Sequence, residues 1–217
     1  MDIGQAIKER KSIRAFRPDP VPREKIEEVL NLAFGAPSAI NLQPWEITVV
    51  VGEERERLSR RLLKAYKEKR IACAPGNVKP LPPKVTARGA QSVEGMKPHL
   101  DAMGIPFDTF VNEGSCNFYG APAAVIICID NAFSKYNYVD IGIILGYLLL
   151  AAHGAGLWTC PIGLIVQYSE EIKDELNIPD NKDVIIGVGI GHPDWSAPIN
   201  RFKSLREPAD TFVRWIE

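Results

Sequence analysis

The feature that most constrains this chain is a long stretch without charged side chains. Residues 141–169 contain no Asp, Glu, Lys or Arg, and a stretch of that length is long enough to span a bilayer. Three features oppose a membrane span: His153 and Pro161 lie within the stretch, five glycines interrupt it, and no basic cluster flanks it. We expect a helix over residues 138–154 that is apolar on nearly every face, followed by a strand and a turn. In a globular protein such a helix belongs in the core or at a subunit interface, and a membrane span stays the alternative.

The composition indicates one globular domain in a reducing compartment. Of the 217 residues, 46% are apolar and 24% are charged, which is typical of a chain with a packed core. Because 26 basic residues stand against 27 acidic ones, we expect no general nucleic-acid surface. The first ten residues lack the apolar core of a signal peptide, so we expect a cytoplasmic protein. Three histidines and four cysteines without a C-x-x-C pair favour neither a metal site nor a disulfide framework; the cysteines are Cys73, Cys116, Cys128 and Cys160.

Hydrophobic patterns along the chain predict an α+β fold in a single domain, residues 1–217. Few predicted strands are separated by one crossover helix, which favours a mixed central sheet surrounded by helices over a doubly wound sheet. Six prolines and five glycines break the pattern over residues 70–115, which predicts an irregular segment that covers a pocket or is disordered. Helices are predicted around residues 2–10, 22–34, 53–69, 138–154 and 169–176, and strands around residues 45–51, 121–130, 157–160 and 183–193.

No motif in the chain predicts nucleophilic or metal catalysis. The alternating glycines Gly187, Gly189 and Gly191 lie in a predicted strand, and no helix follows them, so they do not form a dinucleotide-binding fingerprint. Glycines at alternate strand positions instead predict close packing, which we expect against the apolar helix. His153 lies in that helix and is expected to be a hydrogen-bonded core residue. The sequence therefore predicts no catalytic side chain.

Positive charge is concentrated at the start of the chain, and three further segments help to interpret it. Arg10, Lys11, Arg14 and Arg17 fall within eight residues, which indicates either a solvated helix end or an anion site. This basic segment and three later segments together resemble the nitroreductase family of FMN-dependent, NAD(P)H-oxidising enzymes, and they occur in the same order as in that family. The resemblance extends from about residue 3 to about residue 215. The four segments are Arg10–Phe16, Ala36–Trp45, Thr159–Leu164 and Asn200–Arg206.

The resemblance implies a nitroreductase-like fold and an intertwined homodimer, with FMN bound where the two subunits meet. The apolar helices of the two subunits are expected to pack together, with Gly142 and Gly146 allowing close approach. Residues 70–115 correspond to the family's variable segment, which covers the pocket and sets substrate choice. Residues 197–217 correspond to a tail that wraps the partner subunit and buries Phe212 and Trp215 against it.

The resemblance also implies the cofactor contacts, residue by residue. Arg10 and Ser12 match positions that hold the FMN phosphate and ribityl chain, with Arg206 as a further phosphate contact from the tail; arginine suits a phosphate because it offers bidentate donors. Arg14 matches the cation that faces N1 and O2 of the flavin. The loop of residues 37–43 approaches from the partner subunit, and the turn of residues 161–164 lies against the isoalloxazine ring. The complete set of matching positions is Arg10, Lys11, Ser12, Arg14, Pro37, Ser38, Ala39, Asn41, Gln43, Pro161, Ile162, Gly163, Leu164 and Arg206.

The activity implied by the resemblance is an oxidoreductase in which FMN carries the chemistry. NADH or NADPH donates a hydride to flavin N5, and an acceptor such as a nitroaromatic or a quinone then takes the electrons in a ping-pong cycle. Such a reaction needs orientation and electrostatics from the protein rather than a catalytic side chain. Two alternatives stay open: a specialised flavin enzyme of the same fold (a dehalogenase, a dehydrogenase or a flavin-fragmenting enzyme), and a flavin-binding protein without turnover.

Overall fold

The computed structural model describes residues 2–69, 71 and 79–217; Met1, Arg70 and residues 72–78, which include Cys73, lie outside the described residues. The predicted α+β class is confirmed, and the helices and strands predicted outside residues 70–115 are found within a few residues of their expected bounds. The helices are α1 (Ile3–Glu9), α2 (Arg23–Ala33), α3 (Gly52–Lys69), α4 (Pro83–Asp101), α5 (Phe107–Cys116), α6 (Tyr138–Gly154) and α7 (Ser169–Leu176). The strands are β1 (Trp45–Val51), β2 (Ala123–Asp130), β3 (Trp158–Ile162) and β4 (Lys182–Gly191).

The four strands form one sheet in the order β1-β2-β4-β3, and neighbouring strands are antiparallel. In the described part of the chain, the one parallel pairing is the isolated bridge between Ser12 and Thr159. This bridge lays the segment after α1 along β3, with the Ile13 N–H donating to the Thr159 carbonyl at 3.0 Å. The sheet itself is antiparallel rather than mixed, and the bridge positions the basic N-terminal segment at the sheet edge.

Alternation along β2 separates two apolar cores. We call the side that carries Ala124, Ile126 and Cys128 the closed face; it packs against α3, α5 and α7. We call the side that carries Val125 and Ile127 the α6 face; it packs against α2 and α6. Almost every residue of β2 is buried, because helices cover this central strand on both sides.

The alternating glycines of β4 face the closed face, and the expectation that they pack against the apolar helix is wrong. A Cβ atom on Gly189 would lie 3.0 Å from the Phe118 carbonyl oxygen, and one on Gly191 would lie 2.6 Å from Cδ of Pro122. Because side chains alternate along a strand, Val188 and Ile190 are the residues that point toward α6. The close packing itself is present, on the opposite side of the sheet.

The apolar helix α6 packs on the sheet by one side only. Ile144 and Leu148 are fully buried, whereas Val139 is 65% exposed and Tyr147 44% exposed. Residues 135–154 are long and apolar enough by length and composition to cross a bilayer, and 33% of the most apolar window is buried within the chain. The described residues therefore leave much of a predominantly apolar helix without a covering surface.

Residues 70–115 are largely helical where they are described, and the expectation of an irregular segment is wrong. Two helices, α4 and α5, occupy most of residues 83–116. Pro82 caps α4, Pro83 begins it and Pro106 caps α5, which are positions where proline fits a helix because no N–H is needed there. The apolar signal is weak because α4 lies on the outside and buries only Met96 and Leu100.

Candidate functional site

The basic start of the chain and the C-terminal tail meet in one cavity, although almost 200 residues separate them. This cavity has a volume of about 250 Å³. We call it the cation cleft, and its polar lining is Lys8, Arg10, Lys11, Ser12, Arg14, Lys203, Ser204 and Arg206. The structure thus brings the predicted N-terminal contacts together with the predicted tail cation.

Asn200 holds the two sides of the cation cleft together. Its side chain is buried, accepts from the Arg14 N–H at 2.9 Å and donates to the Ala15 carbonyl at 2.7 Å. Its own carbonyl accepts from Lys11 Nζ. One buried amide therefore fixes the backbone on which Arg14 is carried. The sequence placed Asn200 in a matching segment but gave it no role, because these bonds span more than 180 residues.

The cation cleft is positively charged and unneutralised. Within the described residues, no carboxylate forms an ion pair with any of its cations. Burial, and then the nearby charge of Arg206, lowers the pKa of Arg10; burial, and then Lys203, lowers the pKa of Lys11. Each lowered pKa reports an environment that disfavours the cation. A bound anion would remove that penalty, so the cleft has the electrostatics of an anion site.

Tyr119 lies beside Arg14 and is built into the closed face. Its hydroxyl is 3.3 Å from Ser115 Oγ and within hydrogen-bonding reach of Arg14. Burial raises the pKa of Tyr119 to about 12, so the hydroxyl stays neutral and leaves the Arg14 charge in place. A Cβ on Gly114 would lie 2.5 Å from the ring, which explains a glycine inside α5. Tyr119 also has a positive φ of 53°, a strained backbone for this residue type.

The turn of residues 161–164 lies at the end of β3, next to the N-terminal segment. Ser12 bridges to Thr159, two residues before Pro161. Ile162 is only 4% exposed, so its side chain belongs to the core and its backbone is what a ligand could contact. Cys160 before this turn is also buried, and burial raises the pKa of its thiol to about 11, which makes it unreactive at neutral pH.

The loop of residues 37–43 is strained and exposed. Ile40, Asn41 and Gln43 have φ values of 41°, 61° and 48°, a left-handed conformation that is uncommon for residues other than glycine. The Ser38 hydroxyl accepts from the Gln43 N–H at 3.0 Å, which closes the loop on itself. The side chain of Ile40 is 92% exposed. A strained loop that leaves an apolar side chain this exposed is expected to meet something outside the chain.

Within one chain, the loop and the cation cleft lie at opposite ends of α6. The Ala39 N–H donates to the buried carboxylate of Asp140 at 3.1 Å, near the start of the helix. Near its end, Nε2 of His153 lies 3.7 Å from Oε2 of Glu9, which precedes Arg10. Thirteen helical residues at about 1.5 Å each separate the two points by about 20 Å. The structure therefore does not bring the predicted loop residues to the predicted N-terminal residues in one chain.

Two further residues have clear positions outside the cleft. Arg17 forms an ion pair with Asp19 at 2.7 Å and is the solvated charge that the basic cluster allowed. His153 is buried as expected, but neither ring nitrogen has a hydrogen bond. It instead packs edge-on against Trp158, with 4.4 Å between the ring centroids. The expected hydrogen bond of this core histidine is therefore absent in the described structure.

Comparison with known proteins agrees with this geometry. Residues 7–192 match the sequence profile described as the nitroreductase family. The 4-nitrobenzoate reductase of Pseudomonas putida is 30% identical over 218 residues, which are 99% of this chain and 96% of the relative. The nitroreductase NfnB of Mycolicibacterium smegmatis is 33% identical over 210 residues, which are 92% of this chain and 88% of the relative.

Solved structures agree over the whole length. The FMN-dependent nitroreductase NfnB from Mycobacterium smegmatis, crystallised in complex with NADPH, superposes with a TM-score of 0.88 at 31% identity and covers 100% of both chains. The FMN- and NADPH-dependent NfnB from sphigopyxis sp. strain HMH gives a TM-score of 0.89 at 25% identity, again over 100% of both chains. This chain belongs to the nitroreductase family.

Proposed function

We propose that this protein is an FMN-dependent oxidoreductase that uses NADH or NADPH to reduce nitroaromatics, quinones or related small acceptors. The observation that carries the proposal is the cation cleft: cations from both ends of the chain, without a carboxylate partner in the described structure, surround a cavity of about 250 Å³. Relatives named for 4-nitrobenzoate and nitrobenzene reduction support the acceptor class. A relative named FMN reductase [NAD(P)H] supports the cofactor and the donor.

The residues of the cation cleft fit the phosphate end of FMN. Arg10 and Arg206 offer fork-shaped donors, and Ser12 adds a hydroxyl; these are the groups that bind a phosphate dianion best. Burial, and then the charge of Arg206, lowers the pKa of Arg10, and a bound phosphate dianion would offset both effects. When bound there, FMN would supply the hydride and electron transfer that no side chain of this protein provides.

The protein's own residues would orient the cofactor and set its electrostatics. Arg14, fixed through Asn200 and lying beside the neutral hydroxyl of Tyr119, presents a positive charge toward the site and would favour an electron-rich ring. The exposed backbone around Gly163 would offer polar contacts to the ring edge. Pro37, Ser38, Ala39, Asn41 and Gln43 would act from a second copy of the chain, which accounts for their distance from Arg10 within one copy.

We further propose that the working unit is a cytoplasmic homodimer. The uncovered side of α6, with Val139 and Tyr147 exposed, would pack against the same helix of the partner. Strand β1 lies at the edge of the sheet with free backbone groups, which is a site where another strand can add. The tail exposes Phe212, Val213, Trp215 and Ile216, an apolar segment that such an edge of the partner could bury.

Residues 70–115 would cover the pocket and set the choice of acceptor. A cavity of about 380 Å³ lies between this segment and the N-terminal segment, and Arg14, Met103, Phe110 and Tyr119 contribute to its lining. It touches Arg14 on one side and α5 on the other. Side chains from α5 can therefore vary next to the proposed cofactor without changing the cation cleft.

The purified protein tests the proposal directly. We expect it to retain FMN, to lose the visible flavin absorbance when NADPH or NADH is added without air, and to regain it when 4-nitrobenzoate is added. A protein that binds no FMN contradicts the proposal. Bound FMN that neither nicotinamide bleaches contradicts the reductase activity and favours a specialised flavin enzyme or a flavin-binding protein without turnover.

A further inference from the structure

Tyr119 contacts the basic N-terminal segment through both its backbone and its side chain. Its carbonyl accepts a hydrogen bond from the Phe16 N–H at 3.3 Å. Its hydroxyl lies within hydrogen-bonding reach of the Arg14 side chain, and both residues line the cavity of about 380 Å³ beside α5. Arg14 also lines the cation cleft, whereas Tyr119 does not. Tyr119 therefore supports Arg14 from outside the cation cleft.

The ring of Tyr119 is held in place by its neighbours. It packs against the Phe110 ring with 5.3 Å between the ring centroids, and a Cβ on Gly114 would lie 2.5 Å from its Cε1 atom. The backbone of Tyr119 is held at a φ of 53°. Such strain persists only where the surrounding structure imposes it, and it is concentrated at functional sites. The strain and the close packing together fix where the hydroxyl of Tyr119 lies.

The hydroxyl of Tyr119 can link Arg14 to Ser115 in a directed chain of hydrogen bonds. A guanidinium only donates, so the Tyr119 oxygen is the acceptor of the Arg14 side chain. The hydroxyl hydrogen is then available to Ser115 Oγ, which is buried and lies 3.3 Å from the Tyr119 oxygen. Burial raises the pKa of Tyr119 to about 12, so the hydroxyl keeps its hydrogen at neutral pH. Arg14 is therefore held by a neutral partner.

A neutral partner positions a cation without offsetting its charge, which a carboxylate at the same place would do. We propose that Tyr119 is a positioning residue: its hydroxyl, supported by Ser115, fixes the charged Arg14 side chain and thereby raises the reduction potential of the bound flavin. This inference rests on the proposed function, because it concerns the cofactor. A hydride brings two electrons and one proton, so the flavin ring gains one negative charge. A cation fixed beside the ring stabilises that charge.

The first test measures Arg14 itself in the purified protein, and it does not depend on the identity of the cofactor. Hydrogen exchange of the Arg14 side-chain N–H groups is followed by NMR, and their signals are assigned by their absence from Arg14→Gln. Tyr119→Phe keeps the packed ring and removes the hydroxyl, so we expect it to speed this exchange by at least about tenfold. Tyr66→Phe is the matched control, because Tyr66 of α3 packs against the same closed face and lines neither cavity.

The second test measures the reduction potential of the bound FMN against a dye of known potential. We expect Tyr119→Phe to lower the affinity for reduced FMN relative to oxidised FMN by about tenfold, which is about 30 mV for a two-electron couple. Ser115→Ala should shift the potential in the same direction by less, because the Tyr119 oxygen still accepts from Arg14. Tyr66→Phe should leave it unchanged. In an Arg14→Gln background, Tyr119→Phe should cause no further shift, because Tyr119 acts through Arg14.

The outcomes separate this inference from the proposed function. Equal exchange rates in the unmodified protein and in Tyr119→Phe overturn the inference, as does a potential shift that persists without Arg14. A lowered Tm of Tyr119→Phe with neither measurement changed overturns it too, because the side chain would then only fill space. A protein that is reduced by NAD(P)H at a potential independent of Tyr119 keeps its reductase activity and loses this inference. A protein whose Arg14 is protected through Tyr119 but that binds no FMN contradicts the proposed function and leaves the positioning of Arg14 standing.

Discussion

The glycines of β4 and those of α6 have the same chemistry but opposite surroundings. A Cβ on Gly191 would lie 2.6 Å from Pro122 and 3.1 Å from Phe16, and the other β4 glycines meet similar obstacles. A Cβ on Gly142 or Gly146 would meet nothing within 4 Å. The β4 glycines have no side chain, and the space this leaves is filled by neighbouring residues of the same chain. The second set leaves room that none of the described residues occupies.

This difference teaches which half of the molecule is complete in a single copy. The closed face is filled by α3, α5 and α7, and it carries the cation cleft at its edge through Arg14 and Tyr119. The α6 face ends in a predominantly apolar helix, of which 33% of the most apolar window is buried within the chain, next to a strained loop. We infer that the closed face folds and binds anions within one copy of the chain. We infer that the α6 face is covered by a second copy.

The largest expected effect is on the closed face. Gly191→Val places a branched side chain against the rigid ring of Pro122, and overpacking of this kind costs about 3 kcal/mol. For a chain of this size that lowers Tm by roughly 6–12 °C, measured by thermal unfolding. Gly89→Val is the control, because a Cβ on Gly89 meets nothing within 4 Å. Equal Tm values for the two variants would show that β4 is not tightly packed.

The next effect concerns the cation cleft. Arg206→Ala removes one charge-assisted phosphate contact and should weaken FMN binding by about 2 kcal/mol, or roughly thirtyfold, measured by fluorescence titration of the apoprotein. Arg17→Ala serves as control, since Arg17 pairs with Asp19 outside the cleft. An unchanged FMN affinity for Arg206→Ala would mean that the tail does not hold the phosphate.

A smaller effect should appear on the α6 face. Gly142→Leu has open space within one chain, so the isolated subunit tolerates it, but it should obstruct close helix packing between two copies. We expect dimer dissociation to become at least about tenfold easier, or about 1.4 kcal/mol, measured by sedimentation at several concentrations. Gly89→Leu on α4 should leave association unchanged. A Gly142→Leu protein that dimerises normally contradicts the proposed role of α6.

The smallest effect is expected from the thiols of the closed face. Burial raises the pKa of Cys116 to about 12 and the pKa values of Cys128 and Cys160 to about 11, from an ordinary value of 9.0. Raised thiol pKa values stabilise the fold fully below pH 9.0, and this contribution is lost as the pH rises through about 11. Replacing Cys73, which lies outside the described residues, by serine leaves only the buried thiols of Cys116, Cys128 and Cys160. In this Cys73→Ser variant we expect almost no labelling by a thiol reagent at about pH 8. Rapid labelling before unfolding would mean that the closed face opens readily.

Local patterns were enough to predict most of the helices and strands. The spacing of apolar residues along α2 predicts one buried side; Ile26, Val29 and Ala33 are buried there, whereas Phe34 of the same stripe is 44% exposed. The apolar run of β2 is a central strand. These predictions succeed because a helix or strand that buries one side repeats its apolar residues at the period of its own geometry. The pattern failed for α4, whose buried residues Met96 and Leu100 are too few to show a period.

The sequence by itself determined the helices and strands outside residues 70–115, the concentration of charge near Arg10 and the family that its four segments resemble. Only the tertiary structure decided which side of the sheet the β4 glycines face and that Asn200 fixes the backbone of Arg14. It also placed the loop of residues 37–43 and the N-terminal segment against opposite ends of α6, at residues about 20 Å apart along that helix. The physical reason is that periodicity records contacts between near neighbours in sequence. Pairings across 190 residues leave no repeating trace, and they depend on how the whole chain packs.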